Sequence, residues 1–149
     1  MKLPASAIET IETWRLGFVA TCAGDRPNVS PKGTFVVLDT QTLAFGALRS
    51  PRTMENLALN PELEVNFVNI LTRKGIRIRG RAEVIAKGTK AFADLFPRFR
   101  ALWGDLCDRM PAIVRIPVDE CRPLSSSIYD LDGDEADLTA LWKSKIAEM

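Results

Sequence analysis

Histidine is absent from this 149-residue chain. That removes a histidine triad, a histidine general base and a histidine metal ligand, and closes most routes to nucleophilic or metal catalysis by side chains. Cysteine is scarce. Cys22, Cys107 and Cys121 are an odd number without C-x-x-C spacing, which argues against a disulfide framework and a zinc site; no metal is expected. No apolar run approaches the ~20 residues that span a bilayer. The start, MKLPASAIETIETW, has no signal-peptide core. A cytoplasmic location without a membrane partner is expected. An excess of one charge is missing too. Twenty Lys and Arg against nineteen Asp and Glu leave +1, so nothing draws the whole chain to nucleic acid and any electrostatic function has to be local. If the chain is an enzyme, a bound cofactor brings the chemistry.

What remains is an ordinary globular composition, 46% hydrophobic and 26% charged. The length suits one domain, expected over residues 1–149. Helical spacing of Ile8, Ile11 and Trp14 predicts a helix over Ala5–Thr13, with Ser6 as its cap. Strands are predicted over Leu16–Ala23, Asn28–Asp39 and Leu43–Leu48, joined by GDRP and DTQT as a meander. A helix over Pro51–Leu59 ends at Asn60-Pro61. Strands follow over Glu62–Ile70 and Gly75–Ala86. A helix from Thr89 to Trp103 is expected to kink at Pro97. A sixth strand covers Ala112–Val118, a seventh short piece falls within CRPLSSSIY, and the tail from Glu135 is helical. The expected fold is mainly β with flanking helices (α+β), a six- to seven-stranded antiparallel split β-barrel. A two-layer α+β sandwich is the alternative.

The unusual stretch is GALRSPRTMENLALNPE, from Gly46 to Glu62. Ser50 stands at the N-cap and Pro51 at the first helical position. Helix starts favour acidic residues, yet this one carries Arg52 and Thr53, with Arg49 just outside. A cation at that end costs roughly 0.3–1 kcal/mol, and a bound dianion reverses the sign. The alternative is an exposed arginine on a surface turn. In the strand before it, Asn28, Ser30, Lys32 and Thr34 share one face by period two. That face is either solvated or a rest for a phosphorylated polyol. Pro31 and Gly33 favour the second reading, because they mark an edge or bulge and a close approach. Lys32 is then a second cation for the same anion.

Other features carry less. Arg77, Arg79, Arg81 and Glu83 oppose Ile76, Ile78, Ala82 and Val84 along one strand. Without interleaved aromatics they read as a solvated or subunit-facing row, not a nucleic-acid footprint. DLDGDEAD (130–137) fails as a calcium loop, since its required glycine falls on Glu135 and its bidentate glutamate on Leu141. Trp103, Tyr129 and Trp142 are candidates to cover a planar ligand.

The ordered set GFVATCAGDRPNVSPKG (17–33), LAFGALRSPRTMENLALNPELEVNF (43–67) and IRIRGRAEVI (76–85) resembles the pyridoxamine 5'-phosphate oxidase-like family of FMN-binding split β-barrels. The closing CRPLSSSIYDLDGDEADLTALW is similar to the tail of a smaller bacterial subgroup. The resemblance implies a homodimer with two FMN sites at the subunit interface. It implies phosphate contacts from Ser50, Arg52 and Thr53, where Arg52 matches the family arginine and Thr53 replaces a frequent lysine. It further implies that Ser30, Lys32, Gly33 and Thr34 line the ribityl chain and flavin edge. Lys74 sits near a ring-contacting position, with Gly75 in place of the neighbouring glutamine. Family members that oxidise the vitamin hold it with a C-terminal arginine–histidine pair, so a chain without histidine is expected to take another substrate. The expected function is an FMN-dependent oxidoreductase of unknown substrate. A non-catalytic flavin carrier or sensor is the alternative function, and a deazaflavin the alternative cofactor.

Overall fold

The computed structural model describes all 149 residues. The chain runs α1 (Ala5–Trp14), β1 (Gly17–Ala23), β2 (Arg26–Lys32), β3 (Phe35–Asp39), β4 (Thr42–Gly46), α2 (Pro51–Leu59), β5 (Glu62–Asn69), β6 (Lys74–Arg81), β7 (Glu83–Ala86) and α3 (Lys90–Trp103). A 3-10 turn (Gly104–Arg109), β8 (Ala112–Leu124), a second 3-10 turn (Ser127–Leu131) and α4 (Glu135–Ala147) complete it. No helix is long and apolar enough to cross a membrane.

All strand pairs are antiparallel, in the order β2-β1-β5-β6-β8-β4-β3, with β7 also on β8. This is the split-barrel arrangement, though the sheet does not close. Its thirteen-residue backbone is β8. The first half of β8 pairs with β4 and β7, and its second half pairs with β6. The two open edges, β2 and β3, are consecutive in the chain and joined only by Gly33 and Thr34. The seam therefore falls inside the stretch that alternation alone reads as one strand.

Two apolar clusters fill the fold. Val19, Phe35, Phe67, Ile78 and Val114 lie in the larger, under α1. Phe92, Phe99, Cys107, Met110 and Ile113 lie in the smaller, where α3 and its 3-10 turn pack on the β3-β4-β8-β7 half. Phe35 meets Phe67 edge-on at 4.7 Å, a favoured aromatic geometry. Gly17 faces the same rings, and a side-chain carbon there would stand 2.6 Å from Phe35.

Eight strands, not six or seven, result from three local departures. The Asn28–Asp39 segment breaks at Gly33–Thr34. The Gly75–Ala86 segment breaks at Ala82, and the alternation slips by one, so Ile85 points inward and Val84 is 46% exposed. The sixth and seventh pieces fuse, because Glu120 and Arg122 continue the pairing with β6. Helix α1 starts directly after extended Pro4, which leaves Ser6 inside the first turn and not at the cap. Helix α2 has the expected bounds. Helix α3 is capped by Thr89, whose hydroxyl accepts from the Phe92 amide, and carries Pro97 inside it.

Thr34 holds the seam. Its buried hydroxyl donates to the Gly46 carbonyl and accepts from the Gly46 amide, both at 3.1 Å. Thr34→Val keeps the shape and orphans the Gly46 amide, while the Gly46 carbonyl keeps the Leu48 amide at 3.0 Å. It is expected to cost about 1–3 kcal/mol, read from the denaturant midpoint.

Candidate functional site

A cleft of about 520 Å³ opens at the seam. The β2–β3 link gives Lys32, Gly33 and Thr34, the β4–α2 link gives Arg49 and Ser50, and the turn after α3 gives Arg109. Three of its ten lining residues are cationic and none is acidic. A second, 110 Å³ hollow is lined by Glu64, Arg77, Arg79, Glu120 and Arg122, where each arginine is ion-paired to a glutamate, Glu64 serving two of them.

The polar face of β2 turns inward. Asn28 and Ser30 are half-buried and Lys32 is only 5% exposed, while Val29 is 65% exposed. Such an inversion costs stability unless the polar groups find partners. Asn28 donates to the Thr53 hydroxyl at 3.4 Å. The Lys32 ammonium donates to the Ser30 hydroxyl at 2.7 Å and to the Arg49 carbonyl at 3.3 Å. It makes no ion pair, and burial pushes its pKa below the ordinary lysine value.

Beside it lies the start of α2. Ser50 holds the N-cap position, but its hydroxyl caps nothing. The oxygen is buried, in a residue 5% exposed, and has no hydrogen-bond partner. Met54 is the first residue of the helix whose amide finds a carbonyl, that of Ser50 at 2.9 Å. The Arg52 and Thr53 amides therefore remain free donors. A buried ammonium, an orphaned hydroxyl and two free amides at the positive end of a helix dipole match an oxyanion. A side-chain carbon on Gly33 would meet no atom within 4 Å, so the space beside the lysine is open. These features fit the phosphate of a nucleotide.

Ser30, Lys32, Gly33, Thr34 and Ser50 thus come together, Ser30 through its bond to Lys32 and Thr34 as the pin on Gly46. Thr53 lies next to them, 1% exposed and bonded to Asn28. The Arg52 side chain points away, 3.2 Å from Glu55 in an exposed pair. Lys74 is not at the cleft. It lies 2.5 Å from Glu135 and 4.4 Å above the Tyr129 ring, and its pKa is raised chiefly by the hydrogen bond to Glu135. Tyr129 donates to the Thr72 carbonyl and Trp142 stacks on Arg73, so both clasp the β5–β6 turn. Gly75 is forced, since any side chain there would stand 2.1 Å from the Phe67 carbonyl oxygen. Asp134 caps α4 through the Ala136 and Asp137 amides. Arg109 and Leu106 were absent from the expected site. Both lie far along the chain from the Gly46–Glu62 stretch, with no pattern in sequence linking them to it.

The family model described as pyridoxamine 5'-phosphate oxidase matches residues 4–124. That span holds every cleft residue and ends with β8. No curated protein sequence matches the chain. Many solved structures are similar in fold, three of them as follows. HupZ from Group A Streptococcus is 23% identical, with a TM-score of 0.71 over 83% of this chain and 95% of that one. HutZ, a heme storage protein from Vibrio cholerae, is 17% identical, with 0.67 over 84% and 95%. An FMN-binding protein from Syntrophomonas wolfei is 12% identical, with 0.66 over 80% and 84%.

Because the Ser50 hydroxyl caps nothing, Ser50→Ala is expected to change stability by less than about 0.5 kcal/mol, where loss of a working cap costs about 1. Chemical denaturation measures it. Phosphate affinity is expected to fall as pH rises through the lowered Lys32 pKa, because the ammonium is lost there. Unfolded chain keeps that proton to higher pH, so over the same window the ligand-free protein gains stability from this group. Titrations of wild type and Lys32→Met across alkaline pH check both, and the variant lacks the limb.

Proposed function

Since the chain belongs to the pyridoxamine 5'-phosphate oxidase family, we propose that it is an FMN-dependent oxidoreductase working as a homodimer. One observation carries the reading: the buried Ser50 hydroxyl without a partner, beside the buried Lys32 ammonium without a counter-ion. The FMN phosphate is the group that satisfies both. Lys32 and Ser50 hold it, with the Arg52 and Thr53 amides, and Ser30 orients the lysine. The exposed Arg52–Glu55 pair is worth at most about 1 kcal/mol, so the Arg52 guanidinium is free to move onto a dianion. Gly33 leaves room for the rest of the nucleotide. A bound flavin supplies hydride or electron exchange at its ring. The chain itself offers no histidine and no acid in the cleft, so its residues bind and orient.

The dimer is supported by the outer face of β1 and β2. Phe18 opposite Pro31, and Ala20 opposite Val29, leave an apolar patch with Phe18 43% exposed. The Glu–Arg lattice of β5 and β6 adjoins it and is self-complementary in charge. The proposal includes a substrate other than vitamin B6, because these 149 residues hold no histidine for an arginine–histidine pair.

The test is a visible spectrum and mass analysis of whatever co-purifies. A flavin spectrum and the FMN mass are expected. A Soret band, a deazaflavin mass, or protein that stays colourless with added FMN overturns the assignment. Rapid reoxidation of the reduced flavin by a small acceptor separates an enzyme from a carrier. Arg52→Ala is expected to weaken FMN binding by about 1.5–3 kcal/mol in a fluorescence titration. Unchanged affinity removes Arg52 from the phosphate site.

A further inference from the structure

Among the arginines, only Arg26, Arg49 and Arg109 have side chains with no ion pair, hydrogen bond or ring stack. The others are held: Arg15 and Arg98 by carbonyls, Arg73 by Trp142, and the rest by carboxylates. Two of those three line the same cleft. They come from separate elements, Arg49 from the β4–α2 link and Arg109 from the turn after α3. Both are exposed, at the rim, whereas Lys32 and Ser50 are buried deeper. Arg109 has acids close by in sequence, yet Arg100 takes them both, Asp105 at 3.1 Å and Asp108 at 2.5 Å. The turn is fixed from below by Cys107 and Met110, both fully buried. Leu106, 50% exposed, gives the same rim an apolar wall.

One phosphate dianion is matched by the lysine, the hydroxyl and the helix amides. Two unneutralised guanidinium groups are then left facing one cleft, where they repel each other in the absence of a counter-charge. We propose that Arg49 and Arg109 form a second oxyanion subsite at the rim, which takes a further phosphate or carboxylate group borne on an organic ligand that rests on Leu106. This rests on the phosphate assignment above and deepens it. The second anion comes either from the same nucleotide, as a diphosphate, or from a separate acidic substrate. In both cases the chemistry is one planar fork pair gripping an oxyanion.

Full-length wild type, Arg109→Gln and Arg49→Gln are titrated with FMN and with FAD, and the FMN-saturated proteins with inorganic phosphate. Loss of a charged hydrogen bond corresponds to about ten- to a hundredfold in affinity. If the anion belongs to the same nucleotide, wild type prefers FAD over FMN and the substitutions abolish the preference. If it belongs to a separate acid, FMN-saturated wild type binds added phosphate saturably and each substitution weakens that by about tenfold or more. Wild-type behaviour of both variants in every titration overturns the proposal. If no flavin binds, the phosphate-cofactor reading fails alone. The thermal midpoint of the ligand-free proteins against inorganic phosphate then decides. A smaller rise in Arg109→Gln supports the subsite, and an equal rise overturns it.

Discussion

The structure turns on an ammonium buried without a counter-ion. Lys32 sits under the seam with only a serine hydroxyl and a carbonyl for company, and desolvation lowers its pKa. A lysine with no other task lies at the surface, where its charge is solvated. Here β2 turns its polar face inward and its apolar face outward, the reverse of what stability alone selects. In the proposed reading a bound dianion offsets the cost, because the same low-dielectric setting that penalises the lone charge strengthens its attraction to an anion.

The rest of the fold places partners around that charge. The seam is where an antiparallel sheet fails to close, so its two edge strands end together at Gly33 and Thr34. Thr34 ties this link to Gly46, the last residue of β4, and β4 leads straight to Arg49, Ser50 and the start of α2. Gly46 packs against the methyl end of Met110; a side-chain carbon there would lie 2.3 Å from it, so the thioether would have to shift. Met110 in turn fixes the 3-10 turn that carries Arg109. One threonine, one glycine and one methionine thus connect three separate cationic elements around a single opening.

Much of this was legible from residues. The cap position, proline and Asn-Pro stop defined α2 to the residue, and the positive charge at its start drew attention to the stretch that lines the cleft with Arg49 and Ser50. Pro31 and Gly33 signalled an irregular strand, though not that β2 and β3 part company there. The slip at Ala82 was hard to read, since Gly80, at the register shift of β6 on β8, is its only punctuation and leaves the alternation of Arg77–Glu83 looking continuous. Arg109 was illegible for another reason: only the packing of Cys107 and Met110 under the β-sheet brings it to Arg49. Lys74 illustrates the converse. Its pairing with Glu135 and Tyr129 depends on a tail that folds back across 61 residues, which no local pattern encodes.

The most direct measurement of the central claim is a crystal structure of the protein grown with FMN. Phosphate oxygens within hydrogen-bonding distance of the Ser50 hydroxyl, the Lys32 ammonium and the Arg52 and Thr53 amides are predicted. Flavin bound elsewhere, or ordered water alone against Ser50 and Lys32 at saturating nucleotide, contradicts the account.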